Sequence, residues 1–118
     1  MLEIVPAHLS TLLVSEGEAE VLPTKYLVLG GEALSWELVN RIARARPACR
    51  ILNHYGPTET TVGCLTWAVE GAEASPGSLT VPIGSPIANI RDYILNRRLR
   101  TVPTGVVGAV YIGGAGVA

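Results

Sequence analysis

One stretch of this 118-residue chain concentrates groups that could act on a nucleotide: Asn53, His54, Tyr55, Gly56, Pro57, Thr58, Glu59, Thr60 and Thr61. Tyr55 offers a flat face for a base, together with a hydroxyl. The amide of Asn53 can both donate to and accept from a heterocycle edge. Thr58 offers a hydroxyl to a phosphate oxygen, and Glu59 a hard carboxylate that suits Mg²⁺. Packed this closely, the groups could meet a base, a phosphate and a metal together. On composition alone, a Gly-Pro turn between two elements accounts for the same residues equally well.

The surrounding pattern decides where such a segment would sit. Residues 26–29 form a short apolar run that stops at Gly30 and Gly31, which suits a strand buried on both faces. Ser35 is placed to cap a helix with Glu37 in its first turn, Leu38, Ile42 and Ala45 share one face, and Pro47 closes the element. Residues 50–53 read as the next strand. Strand, helix and strand over residues 26–53 leave enough chain for a parallel, right-handed crossover. Ligands in open parallel sheets bind outside the carboxyl ends of the strands. Both unusual segments, Gly30-Gly31-Glu32 and the one beginning at Asn53, lie at such ends.

Upstream, Pro6 fits the first turn of a helix carrying Leu9, Leu12 and Leu13 and ending at Gly17. Residues 15–25 read as a loop. Downstream, residues 65–69 suit a strand and residues 71–78 a loop. From Val81 onward, glycine and proline punctuate strand-like runs at residues 90–95 and 106–112. The expected fold class is therefore α/β: a parallel βαβ layer over residues 1–80, followed by an antiparallel, barrel-like β segment over residues 81–118.

Apolar residues make up 48% of the chain, enough for a core. The 9 basic and 10 acidic residues leave a net charge of −1, which argues against nucleic acid as a partner. Arg97, Arg98 and Arg100 read as a solvated strand end. Cys49 and Cys64 form no metal-ligand spacing and suit two buried thiols in a reducing compartment. The amino-terminal residues resemble no signal peptide, no apolar run is long enough to span a bilayer, and the expected location is the cytosol. Both ends enter or leave structure abruptly, as in a segment of a larger protein.

The segment at 53–62 resembles the N-x-Y-G-P-T-E-T-T-V signature of adenylation domains of nonribosomal peptide synthetases, in the adenylate-forming superfamily. The resemblance runs the length of the chain. It includes VPAHL at residues 5–9, LVLGGEAL at 27–34, VPIGSPIAN at 81–89, and residues 108–118, which are similar to G-E-L-Y-I-G-G-x-G-V-A. Ala109 stands where Glu is usual, Asp92 where an apolar strand residue is usual, and Asn96 where Asp is common. Gly113, Gly114 and Gly116 do not form a phosphate-binding G-x-G-x-x-G.

The resemblance implies a parent enzyme that joins an amino acid to ATP, releases pyrophosphate, and passes the aminoacyl group to the phosphopantetheine thiol of a peptidyl carrier domain. It implies that Tyr55 flanks adenine and Asn53 bonds its edge, and that Gly30, Gly31 and Gly56 line the nucleotide site. Thr58 would contact the α-phosphate and Glu59 would hold Mg²⁺, as the catalytic pair. It also implies an amino-acid side-chain pocket of Glu3, Val28, Gly30, His54, Val62 and Gly63. Glu3 and His54 would be desolvated there and would want a polar partner, which points to a polar or charged substrate. The family's phosphate loop, its aspartate for the substrate amino group, its ribose-binding aspartate and its catalytic lysine fall outside these residues. The chain alone is therefore expected to be inactive. A non-catalytic remnant or binding module, and a relative of acyl-CoA ligases, are the alternatives.

Overall fold

The structure, a computed structural model, describes residues 1–15, 17–57, 59, 63–70 and 77–117. Its larger sheet has five strands in the spatial order β1 (Leu2–Ile4), β2 (Tyr26–Gly30), β3 (Arg50–Tyr55), β4 (Leu65–Val69) and β5 (Ser85–Pro86). The first three are mutually parallel, with Glu3 opposite Val28 and Gly30 opposite His54. β4 and β5 run antiparallel, with His54 opposite Thr66 and Thr66 opposite Ser85. The expected parallel strand–helix–strand unit over residues 26–53 is present, and its second strand runs on to Tyr55.

Three helices cover one face: α1 (Pro6–Ser15), the single turn α2 (Glu18–Val21) and α3 (Trp36–Ala45). α3 follows its sequence signals closely. The Ser35 side chain accepts from the Leu38 N–H at 3.2 Å, and the Arg46 N–H donates to the Ile42 carbonyl before Pro47. α1 is capped from a distance, because the Glu32 carboxylate accepts from the Ala7 N–H at 3.2 Å. That bond ties the turn after β2 to the start of α1, where a negative charge is favoured. Three elements were not foreseen, among them the two-residue β5. Residues 18–21 form a turn of helix within the expected loop. β1 is too short for its alternation to register in sequence, and it exists because β2 offers it an edge.

The core lies between helices and sheet. Leu9, Leu27, Leu29, Leu34 and Ile42 are completely buried there, with Val39 and Ile51 almost so. Alternation along each strand sends the next residues to the opposite face. Val28, Gly30, Leu52 and His54 accordingly lie half-buried on a face that no described element covers. Burial of β2 on both faces, as its apolar run suggests, is thus a correction: among the described residues only the helix-facing side is sealed.

The second sheet pairs β6 (Ile90–Leu95) with β7 (Ala109–Gly114) antiparallel. Asn96 closes the adjoining turn by accepting from the Arg98 and Arg100 N–H groups at 2.8 and 3.1 Å. Arg97, Arg98 and Arg100 are exposed there, as a solvated strand end requires. Ala109 is exposed too, so the missing Glu costs no packing. Pairing passes from one sheet to the other between Pro86 and Ile90, and Val81 packs in the core of the first layer. Among the described residues no helix is long and apolar enough to cross a membrane.

Candidate functional site

Two clefts open on opposite sides of the sheet where β2 and β3 end. β2 stops at Gly30 while β3 continues, so the tip of β3 projects and its side chains alternate between the two openings. The helix-side cleft has a volume of about 320 Å³ and its lining includes Gly31, Asn53, His54, Tyr55, Gly56, Thr80 and Val81.

Asn53 is 4% exposed and is the buried polar residue of the described core. Its Nδ2 donates to the Pro82 carbonyl at 2.8 Å and, at the limit of bonding distance, to that of Val81 at 3.5 Å. This residue therefore anchors the 81–82 segment on the sheet. With the nitrogen engaged, Oδ1 is the Asn53 atom able to accept a hydrogen bond. Tyr55 is 37% exposed, and its carbonyl accepts from the Cys64 N–H at 2.8 Å and its thiol at 3.4 Å. Those bonds close the loop between β3 and β4. Glu59 lies in that loop, in a turn and exposed to solvent. Thr58 and Val62, expected as a phosphate contact and a pocket residue, lie outside the described residues. Among the described residues, no three His, Cys, Asp or Glu side chains cluster as metal ligands.

Gly30 and Gly31 are glycine for different reasons. A Cβ on Gly30 would stand 2.7 Å from the backbone carbonyl oxygen of His54, an impossible contact. Gly31 has φ +84°, a left-handed conformation that disfavours a side chain whatever the space. At Gly30 the close approach is thus to β3 itself.

On the open face, Glu3 and His54 line a pocket of about 290 Å³ with Ile4, Val5, Gly30 and Gly56. They also line an adjoining one of about 240 Å³ with Val28, Leu52 and Thr66. Glu3, Val28, Gly30 and His54 are therefore brought together. Gly63 joins them from the far side of the loop: a Cβ there would stand 2.2 Å from His54 Nε2, so the imidazole rests directly on this glycine. Glu3 is exposed, whereas desolvation was expected, because no described element packs over it. Thr66 was missed. Its Oγ1 lies 2.8 Å from His54 Nδ1 and fixes the ring's orientation. The alternation of β4, with Leu65 in the core, could have placed Thr66 on this face. Its pairing with His54 follows only from the register across the loop.

Cys49 and Cys64 are free and buried, as expected. Burial pushes the Cys49 thiol up, against the nearby Arg46 guanidinium, which pulls it down. It stands just before β3, at the strand's other end, and takes no part in the clefts.

The profile of the AMP-binding enzyme family matches residues 1–118. Malpinin synthetase from Mortierella alpina is 40% identical over 118 residues, which cover 98% of this chain and 2% of that protein. Bacitracin synthase 3 from Bacillus licheniformis is 40% identical over 119 residues, 100% of this chain and 2% of that protein. A solved four-domain nonribosomal peptide synthetase bound to AMP and glycine superposes with a TM-score of 0.79 at 34% identity, covering 98% of this chain and 8% of that one. The N-terminal subdomain of NpsA from Klebsiella oxytoca, in complex with 3-hydroxybenzoyl-AMSN, gives a TM-score of 0.84 at 24% identity. It covers 99% of this chain and 29% of that one, and shows the shared fold alone. The chain thus spans a small part of the relatives it matches.

Proposed function

The chain belongs to the AMP-binding enzyme family, and on that premise we propose that it is a segment of an adenylation domain that activates an amino acid with ATP for nonribosomal peptide synthesis. The observation that carries this reading is the tip of β3, where Asn53 and Tyr55 line the helix-side cleft alone while His54 lines the open-face pocket as well. Adenylate formation needs such adjacency. The substrate carboxylate attacks the α-phosphorus as pyrophosphate leaves, so a base site and a side-chain site must adjoin within one reach.

In this reading, Tyr55 presents its ring to adenine and Asn53 Oδ1 accepts from the exocyclic amino group. Gly31 and Gly56 let the nucleotide approach the backbone. Thr58 donates to the α-phosphate, a role taken from the sequence. Glu59 fits Mg²⁺, which binds through one or two carboxylates and completes its shell with water and phosphate oxygens. Bound there, the ion supplies charge neutralisation on the phosphates as the leaving group departs. The aminoacyl group then passes from AMP to the phosphopantetheine thiol of a carrier domain, as a thioester. A cytosolic location belongs to the same proposal, as does a division into two subdomain segments, for which the change of pairing between Pro86 and Ile90 supports a later boundary than the expected residue 80. Support comes from the 34%-identical relative bound to AMP and glycine.

The test is amino-acid-dependent ATP–pyrophosphate exchange in the full-length protein. Tyr55→Ala is expected to raise the ATP KM by ~10-fold, since aromatic stacking on a base contributes about 1–3 kcal/mol. Exchange supported by aryl or fatty acids and by no amino acid would overturn the proposal.

A further inference from the structure

We propose that the open-face pocket takes an amino acid whose side chain is an aliphatic stem ending in a cation, with Glu3 as the partner of that cation. The proposal rests on the adenylation reading above and goes beyond it in naming the substrate class. Glu3 lines both chambers of the pocket, and it is the one carboxylate among their described lining residues. No lysine or arginine lines either chamber, and among the described residues the ion pair found is Arg41 with Glu18, on the helix side. Among the described residues Glu3 therefore has no Lys or Arg side chain beside it in the pocket.

The other polar side chains among the described wall residues, His54 and Thr66, bond to each other. His54 Nδ1 is bonded to Thr66 Oγ1, and the ring is seated on Gly63. Between Glu3 and that pair the wall is Val28 and Leu52, which are apolar and suit methylene groups. An acidic side chain would meet Glu3 with like charge. An apolar one would leave a carboxylate unpaired once the rest of the enzyme covers this face, and an unpaired buried charge is strongly unfavourable. An ammonium or guanidinium resolves both conflicts and keeps its stem along Val28 and Leu52.

Pyrophosphate exchange in the full-length protein tests this with side chains matched for length: lysine and ornithine, then norleucine, glutamine and glutamate. A cationic substrate is expected to exceed norleucine in kcat/KM by ~100-fold, the scale on which a desolvated charge pair discriminates. Glu3→Gln should remove most of that ratio through the amino-acid KM, and Glu3→Lys should turn the preference toward glutamate. The ATP KM, read in the same assay, reports the nucleotide cleft separately. A wild-type preference for norleucine, glutamine or glutamate overturns the proposal. So does a lysine-to-norleucine ratio that Glu3→Gln changes by less than ~3-fold. Exchange with no amino acid at all overturns the adenylation reading itself, and this proposal with it.

Discussion

Replacing Gly63 by alanine would test whether the His54–Thr66 pair is a working part of the pocket. The new methyl carbon would stand 2.2 Å from His54 Nε2, 2.5 Å from Cδ2 and 2.8 Å from Cε1. Non-bonded atoms settle at about 3.5–4.0 Å, so the ring must withdraw by roughly 1.3 Å or more (3.5 less 2.2). Its Nδ1 lies 2.8 Å from Thr66 Oγ1, and such a displacement carries it beyond bonding range. Gly63 has no positive φ, so the alanine adds no backbone strain. What the substitution removes is one hydrogen bond, a net loss of about 1 kcal/mol. Thr66→Val deletes the same bond while keeping the shape. Urea denaturation of wild type, both single variants and the double variant then closes a cycle. Thr66→Val should cost about 1 kcal/mol in the wild type and almost nothing in the Gly63→Ala background, a coupling of about 1 kcal/mol. Additivity within ~0.3 kcal/mol would refute the reasoning, because it would mean that the ring never needed to leave Thr66.

Three further outcomes are expected. Gly84→Ala should be far more costly than Gly63→Ala: φ is +92° and the Cβ would lie 2.0 Å from the Thr66 backbone oxygen, which cannot rotate away. A loss of about 3 kcal/mol or more, seen as a fall in Tm, is expected, and a loss below about 1 kcal/mol would contradict the close β4–β5 approach. Asn53→Asp should destabilise by about 2–4 kcal/mol in chemical denaturation, since a buried carboxylate would face the Val81 and Pro82 carbonyls in place of a donor. Equal stability would show that the 81–82 segment is held by other means. The Cys49 thiol is raised above its ordinary 9.0 by burial, so it stays protonated near neutrality and should react slowly with iodoacetamide. Between the unfolded and the raised folded value the native state holds the extra proton. Stability should therefore be full below about pH 9 and decline above it, by at most about 1.4 kcal/mol per pH unit, and Cys49→Ser should remove that component of the slope.

The local signals proved durable where one residue type suffices to state them. Ser35 caps, Pro47 closes, Gly30 and Gly31 end a strand, and Leu27, Leu29, Ile42 and Ile51 face a core. Each of these is written in short-range stereochemistry or in a period of two or 3.6 residues. The residues proposed to meet the nucleotide stood out for a similar reason, since Asn53, Tyr55 and Glu59 are crowded into one stretch. β1 and α2 were not legible, because elements of three and four residues carry no period and form only where a neighbouring edge or face completes them.

From composition and pattern come the α/β class and the placement of the unusual segments at strand ends, and from the quoted motifs the family resemblance. Register and sidedness came only with the fold. Nothing local says that Glu3 lies beside Val28, that Gly63 carries the His54 ring, or that Thr66 holds it, since those residues are brought together by hydrogen-bonded pairing across connections of very different length. Nor could an apolar strand announce that one of its faces is left open. Apolar residues suit a face that another part of the protein will cover as well as one already covered, and only the arrangement of helices on a single side distinguishes the two.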